Sequence, residues 1–204
     1  MVGWDRARAG VDEVGRGSCF GPVVTCAVVF PDDGLDPVLA AGLGDSKVLS
    51  RRTREDLADQ LCRCVRFAFG AASAAEVDAV NPLQATMRAM ARAIERLDAR
   101  MRNPRVPLRY VIVDGRDYPP VTIPGETVIK GDALVAEISA ASILAKVFRD
   151  RLVARMATRY PGYGLERHAG YGTAAHFAAI ARLGPTPHHR QTFLRKLNAR
   201  LAAL

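Results

Sequence analysis

The apolar positions of the chain change rhythm along its length. Residues 9–13, AGVDE, begin as a short apolar strand that ends on two carboxylates. Residues 21–30, GPVVTCAVVF, form a nearly unbroken apolar run, which suits a strand covered on both faces. PDDGLDP at 31–37 reads as a loop. Ser50 or Thr53 can then cap a helix whose stripe is Leu57, Leu61, Cys64 and Val65 at helical spacing. RFAFGAA at 66–72 predicts a third strand, and Ser73 with Glu76 forms a capping-box pattern for a short helix. Asn81 followed by Pro82 predicts the start of a longer helix, with Leu83, Met87, Met90, Ile94 and Leu97 on one face.

LRYVIV at 108–113 is a fourth strand running into Asp114 and Gly115, and 121–129 holds a weaker one around a Pro–Gly turn. From about Leu134 to Arg159 the pattern is helical, with Ile138, Ala141, Ala145, Phe148, Leu152 and Met156 as the apolar side. YPGYG breaks it. Thr173 can cap a helix over 174–182, and a last amphipathic helix starts near Gln191, with Phe193, Leu197 and Leu201 facing inward. Strands come first and helices crowd the second half. This order predicts an α/β fold with a helical C-terminal region from about residue 160, within a single domain over 1–204.

Composition narrows the partners. The formal net charge is +8 and the pI about 9.8, so a polyanion is the first candidate partner, although an Arg-rich composition can also follow the source genome. Cys19, Cys26, Cys62 and Cys64 show no zinc spacing and are expected to be buried free thiols of a reducing compartment. The first residues lack the apolar core of a signal peptide, and no run is long enough to cross a bilayer. The expectation is a cytoplasmic protein with no membrane partner. No GxxxxGK[ST] phosphate loop occurs.

Carboxylates recur where elements end: Asp12 and Glu13 after the first strand, Asp114 after the fourth, Asp132 before the long helix. In α/β folds, strand ends are where sites are built. Acidic groups gathered there repel unless a cation joins them, and hard oxygen donors suit Mg2+ or Mn2+. Neighbours on a strand point to opposite faces, so Asp12 and Glu13 are expected to share a site only if the chain bends there, with Gly15 and Gly17 supplying the freedom. A carboxylate site holding two metals, on a basic protein, points to phosphodiester cleavage. A lone Asp at a strand end is more often a solvated cap, so the reading rests on the group.

Jointly, GVDEVGRGSCFGPVV, GDSKVLS, YVIVDG, IKGDALVAEISAASILAKVFRDR, YPGYGLERHAGYGTAAH and GPTPHHRQTF resemble, in order and over nearly the whole chain, bacterial ribonuclease HII, the type 2 ribonuclease H family. The resemblance implies a ribonuclease H-like fold, a mixed central sheet flanked by helices. It implies hydrolysis of RNA in RNA–DNA hybrids and incision 5′ to ribonucleotides embedded in duplex DNA, leaving a 3′-hydroxyl and a 5′-phosphate. It makes Asp12, Glu13, Asp114 and Asp132 the catalytic and metal-binding quartet, with Mg2+ or Mn2+. It implies that Gly15, Arg16 and Gly17 contact the backbone and 2′-hydroxyl at the ribonucleotide, and that Tyr171 packs on the following sugar. Ser46, Lys47 and Lys146 are assigned to the substrate groove. His176 is kept out of the catalytic set, because a lone His on an Ala-rich helix is more often structural. Lys146, Arg149 and Arg151 lie on the long helix, where Arg149 and Asp150 can instead form an ordinary exposed helix pair. A monomer is expected.

Overall fold

The computed structural model describes residues 7–43, 49–102 and 106–195. Its centre is a five-stranded sheet in the order β3–β2–β1–β4–β5. The strands are β1 (Arg8–Val14), β2 (Val23–Val29), β3 (Arg66–Ala72), β4 (Tyr110–Asp114) and β5 (Gly125–Val128). β1, β2 and β3 form an antiparallel meander, while β4 joins β1 and β5 joins β4 in parallel. The sheet is therefore mixed, and its parallel half begins at the strand that carries Asp12.

All seven residues of β2 are buried, as its continuous apolar run requires. On one face Ala27 and Val29 join Val11, Val111 and Val113 against α4 (Pro82–Met101), whose Met90, Ile94 and Leu97 are fully buried. On the other face Cys26 and Val28 pack with α2 (Arg51–Cys64) and α6 (Ala136–Arg159). The local stop and start signals act as the sequence predicts. The Ser50 hydroxyl accepts from the Thr53 amide, Ser73 and Glu76 close a capping box ahead of α3 (Ala74–Val80), and Asn81 caps α4 with Pro82 in its first turn.

Several elements depart from the pattern. Asp36 accepts from the Leu39 amide and starts a short α1 (Pro37–Ala41) at the end of the expected loop. The helix expected from about residue 134 is two: α5 (Gly131–Leu134) and α6, parted by the extended Val135. α6 is buried on several sides, from Glu137 to Val153, because the sheet, α2 and α7 (Leu165–His168) all pack on it. Phe148, expected inside, is 42% exposed and stacks on Phe69 at 4.4 Å. Cys62 and Cys64 are exposed rather than buried, since α2 turns only Leu57, Ala58 and Leu61 inward. α8 (Ala174–Leu183) begins at Thr173 as expected. A further helical turn covers 191–195, where Leu194 is buried and Phe193 only partly so; Leu197 and Leu201 lie outside the described residues.

Candidate active site

Asp12 is set by a close approach. A Cβ on Gly10 would lie 2.3 Å from the Glu137 carbonyl carbon, so only glycine lets α6 press this tightly on β1. That contact brings Ser142, one turn further along α6, within hydrogen-bonding reach of the Asp12 carboxylate. The chain does not bend between Asp12 and Glu13. β1 keeps its register with β2 through Val14↔Val24, and the turn starts only at Gly15, at φ +82°. Both carboxylates still line one cleft, because the pairing of β1 with β4 stops at Val11↔Val113 and leaves that edge open.

Asp114 ends β4 and accepts the Gly131 amide at 2.7 Å, which ties it to the start of α5. Asp132, in that same first turn, is 7% exposed. The cleft, of about 510 Å³, is lined by all four carboxylates, by Gly15, Arg16 and Gly17, and by Lys146 and Tyr171. Ser46 and Lys47 lie outside the described residues.

The buried carboxylates of the site repel one another. Burial first, then Glu13 and Asp114, hold the Asp12 carboxyl well above its usual range. Burial also raises Glu13, with Arg16 pulling the other way across an ion pair of 3.7 Å and Asp114 adding repulsion. Among the described residues no three acidic, His or Cys side chains close into a ready chelate, so the quartet is an open cluster. Its donor chemistry fits a hard divalent cation: carboxylate oxygens alone, in a polar cleft, with excess negative charge.

Lys146 pairs with Asp150 at 2.9 Å, and Arg54 reaches the other oxygen of that carboxylate at 4.0 Å. Asp150 thus holds two cations at the cleft wall and acts on Arg149 only at a distance, instead of forming the exposed helix pair the sequence suggests as one reading. Arg149 is fully buried, because its guanidinium turns under the loop after β1. Tyr171, 37% exposed, sits with Lys146 and Arg149 5.8 and 5.6 Å from its ring centre.

His176 lies behind Tyr171, fully buried, and does not line the cleft. Its Nδ1–H donates to the Tyr171 carbonyl at 2.9 Å, so its Nε2 accepts, and the group 3.1 Å away on that side is His189 Nε2–H. His189 Nδ1 in turn accepts the Thr186 amide at 2.9 Å. Burial pushes both imidazoles below their ordinary range, His189 to about 4. With both nitrogens engaged, His176 steadies the Tyr171 loop.

Arg54, Ser142, Arg149 and Arg190 escaped the sequence reading as site residues. Arg54 is one of several basic residues in SRRTRED, and nothing in the spacing singles it out. Ser142 and Arg149 fall within a motif whose periodicity shows a helix but not its neighbours.

Carboxylates on the ends of adjacent parallel strands of a mixed sheet, facing a cleft that also carries Arg16, Arg54 and Lys146, define a nuclease of the ribonuclease H-like class. The comparisons with known proteins agree and go further. Residues 9–197 match the family described as Ribonuclease HII. The Ribonuclease HII of Synechococcus elongatus is 52% identical over 191 residues, 93% of this chain and 86% of that protein. That of Rhodospirillum rubrum is 51% identical over 187 residues, 91% of this chain and 83% of that protein. The crystal structure of ribonuclease H2 from Pyrococcus horikoshii superposes with a TM-score of 0.73 at 25% identity, covering 97% of this chain and 99% of that one. Bst-RNase HIII in complex with Mn2+ shares the fold at a TM-score of 0.75 and 18% identity, over 100% of this chain and 72% of that one. This chain belongs to the ribonuclease HII family, endonucleases that hydrolyse the RNA strand of RNA–DNA hybrids.

Proposed function

We propose that this chain also incises duplex DNA on the 5′ side of a single embedded ribonucleotide, with a divalent cation, Mg2+ or Mn2+, held by Asp12, Glu13, Asp114 and Asp132. Its role is the removal of ribonucleotides during DNA replication and repair. The observation that carries this reading is one cleft in which the four carboxylates meet the Gly15–Arg16–Gly17 turn and the Tyr171 ring.

When bound, the cation supplies an activated water and charge stabilisation for the departing 3′-oxygen. The chain does the rest. Gly17 has open space around its Cα, so the turn can approach a sugar closely. Arg16, half exposed, can leave its weak pair with Glu13 for a phosphate. Lys146 and Arg54, held at the wall by Asp150, offer further positive charge to the backbone. The Tyr171 ring presents a flat apolar face to the sugar after the ribonucleotide, where a 2′-hydroxyl would crowd it. That favours an RNA-to-DNA junction.

The test is strand cleavage of a duplex DNA with one ribonucleotide, in Mg2+, in Mn2+ and in chelator, beside an all-DNA duplex. Metal-dependent incision 5′ to the ribonucleotide alone is expected. Cleavage of long hybrids without cleavage at the single ribonucleotide would discard the junction reading.

A further inference from the structure

The turn that faces the substrate is held from behind by two buried cations. Arg149 and Arg190 are both 0% exposed. Arg149 donates through Nε to the Pro22 carbonyl at 3.0 Å, through Nη1 to Ala169 at 2.9 Å, and through Nη2 to Phe20 at 2.9 Å and the Ser18 hydroxyl at 2.6 Å. Arg190 donates through Nη2 to the Gly15 carbonyl at 2.8 Å, through Nη1 to Arg16 at 2.8 Å, and through both Nε and Nη2 to Gly21. These guanidiniums bond to main-chain carbonyls and one hydroxyl, not to carboxylates. Two buried like charges, with Asp150 and Asp78 acting on them only at a distance among the described residues, are costly to keep. Arg190 shows that cost, lowered to about 10 by burial and then by Arg149.

What they accomplish follows from peptide geometry. In a trans peptide the carbonyl and the following N–H point in opposite directions. Arg190 draws the Gly15 and Arg16 carbonyls inward, so the Arg16 and Gly17 amides are turned outward, on residues that are themselves exposed. Two successive outward N–H groups make a concave donor site for an oxygen or an anion. Arg149 fixes the other side: its Nε would lie 2.0 Å from a Cβ on Gly15, so the guanidinium and the turn fit only as they stand.

We propose that Arg149 and Arg190 are positioning residues that set the ribonucleotide-reading face of the Gly15–Gly17 turn, and so the discrimination between a ribose and a deoxyribose at the cut. The proposal rests on the junction reading above. A lysine at either position keeps the charge but loses the planar fork that holds several carbonyls at once.

The experiment is equilibrium binding, by fluorescence anisotropy in chelator, of a duplex with one ribonucleotide and of the matching all-DNA duplex. Parent, Arg190→Lys and Arg149→Lys are compared, with circular dichroism and a melting curve for each. In the folded lysine variants the preference for the ribonucleotide duplex is expected to fall about fivefold, the scale of one well-made hydrogen bond, while all-DNA affinity changes less than about twofold. A folded variant with the parent's preference overturns the assignment. Should neither lysine variant fold, Ser18→Ala decides, because its hydroxyl accepts from Arg149 and donates to the Gly15 carbonyl, coupling that guanidinium to the turn: a preference lowered about twofold supports the proposal, and an unchanged one overturns it. A parent with no preference of its own defeats the junction reading first, before any variant is compared.

Discussion

Gly10→Ala tests how the carboxylates are placed without touching one. The added Cβ would meet the Glu137 carbonyl carbon at 2.3 Å and the Ile138 nitrogen at 2.5 Å, both main-chain atoms of α6 that no rotamer can move. Reaching an ordinary contact of 3.4 Å requires α6 to retreat from β1 by roughly 1 Å. Ser142 and Lys146 ride on that helix, so both shift relative to Asp12, which stays on the sheet. A displacement of about 1 Å among reacting groups can cost about 100-fold in turnover. Overpacking of this kind destabilises by about 1–3 kcal/mol, and at about 2–4 °C per kcal/mol the melting temperature falls by roughly 2–12 °C. The assay is the initial rate of RNA-strand cleavage in a fluorescent hybrid at saturating divalent ion, well below the melting point, alongside a melting curve. A variant whose kcat stays within about threefold of the parent would refute the close-approach account.

Three further outcomes are expected. Asp12→Asn removes a carboxylate whose folded pKa is raised, so its charged form opposes folding at neutral pH and that penalty fades as pH drops through the raised value; without divalent ions the variant melts higher than the parent at pH 7 while hybrid cleavage is lost, and a lower melting point would contradict the burial argument. His189 carries the opposite sign: its folded value of about 4 lies below the unfolded value of 6.5, so its contribution is intact above pH 6.5 and is lost as pH falls toward 4, on the order of 3 kcal/mol in all. Urea midpoints at pH 7.5 and 5 should diverge in the parent and converge in His189→Gln; equal divergence in both would remove the imidazole pair from the account. Tyr171→Ala should lower incision at a single ribonucleotide by about tenfold or more and long-hybrid cleavage by much less, the scale of a lost aromatic–sugar contact; equal losses on both substrates would make Tyr171 a general packing residue.

The legible parts of the chain are those written in local chemistry. β2 announces its two-sided burial in VVTCAVV, and α4 announces its start in Asn81–Pro82. Asp12, Glu13 and Asp114 stand at strand ends, where a sheet presents its side chains to one cleft. Asp132 carried no such mark beyond the family resemblance. What stayed hidden depends on distant neighbours. Periodicity made Phe148 a core residue and Arg149 a surface one, but the helix is packed on more than one side and the order is reversed. The expected bend after Asp12 proved unnecessary, because what opens the site is the end of β4 pairing, a property of a strand about a hundred residues further along.

The clamp on the Gly15–Gly17 turn also has a temporal meaning. The Gly15 carbonyl is held by a guanidinium 175 residues further along, and the Phe20 carbonyl by one 129 residues along. Contacts of such separation form late, since closing so long a loop must precede any gain from it. On the ribosome, Asp12 and Glu13 emerge well before Arg190. The nascent chain therefore carries its acidic strand long before Arg190 is there to hold the Gly15 and Arg16 carbonyls. A chain that has not yet reached Arg190 lacks the guanidinium that holds those carbonyls, so the order of synthesis itself delays the assembly of the nuclease.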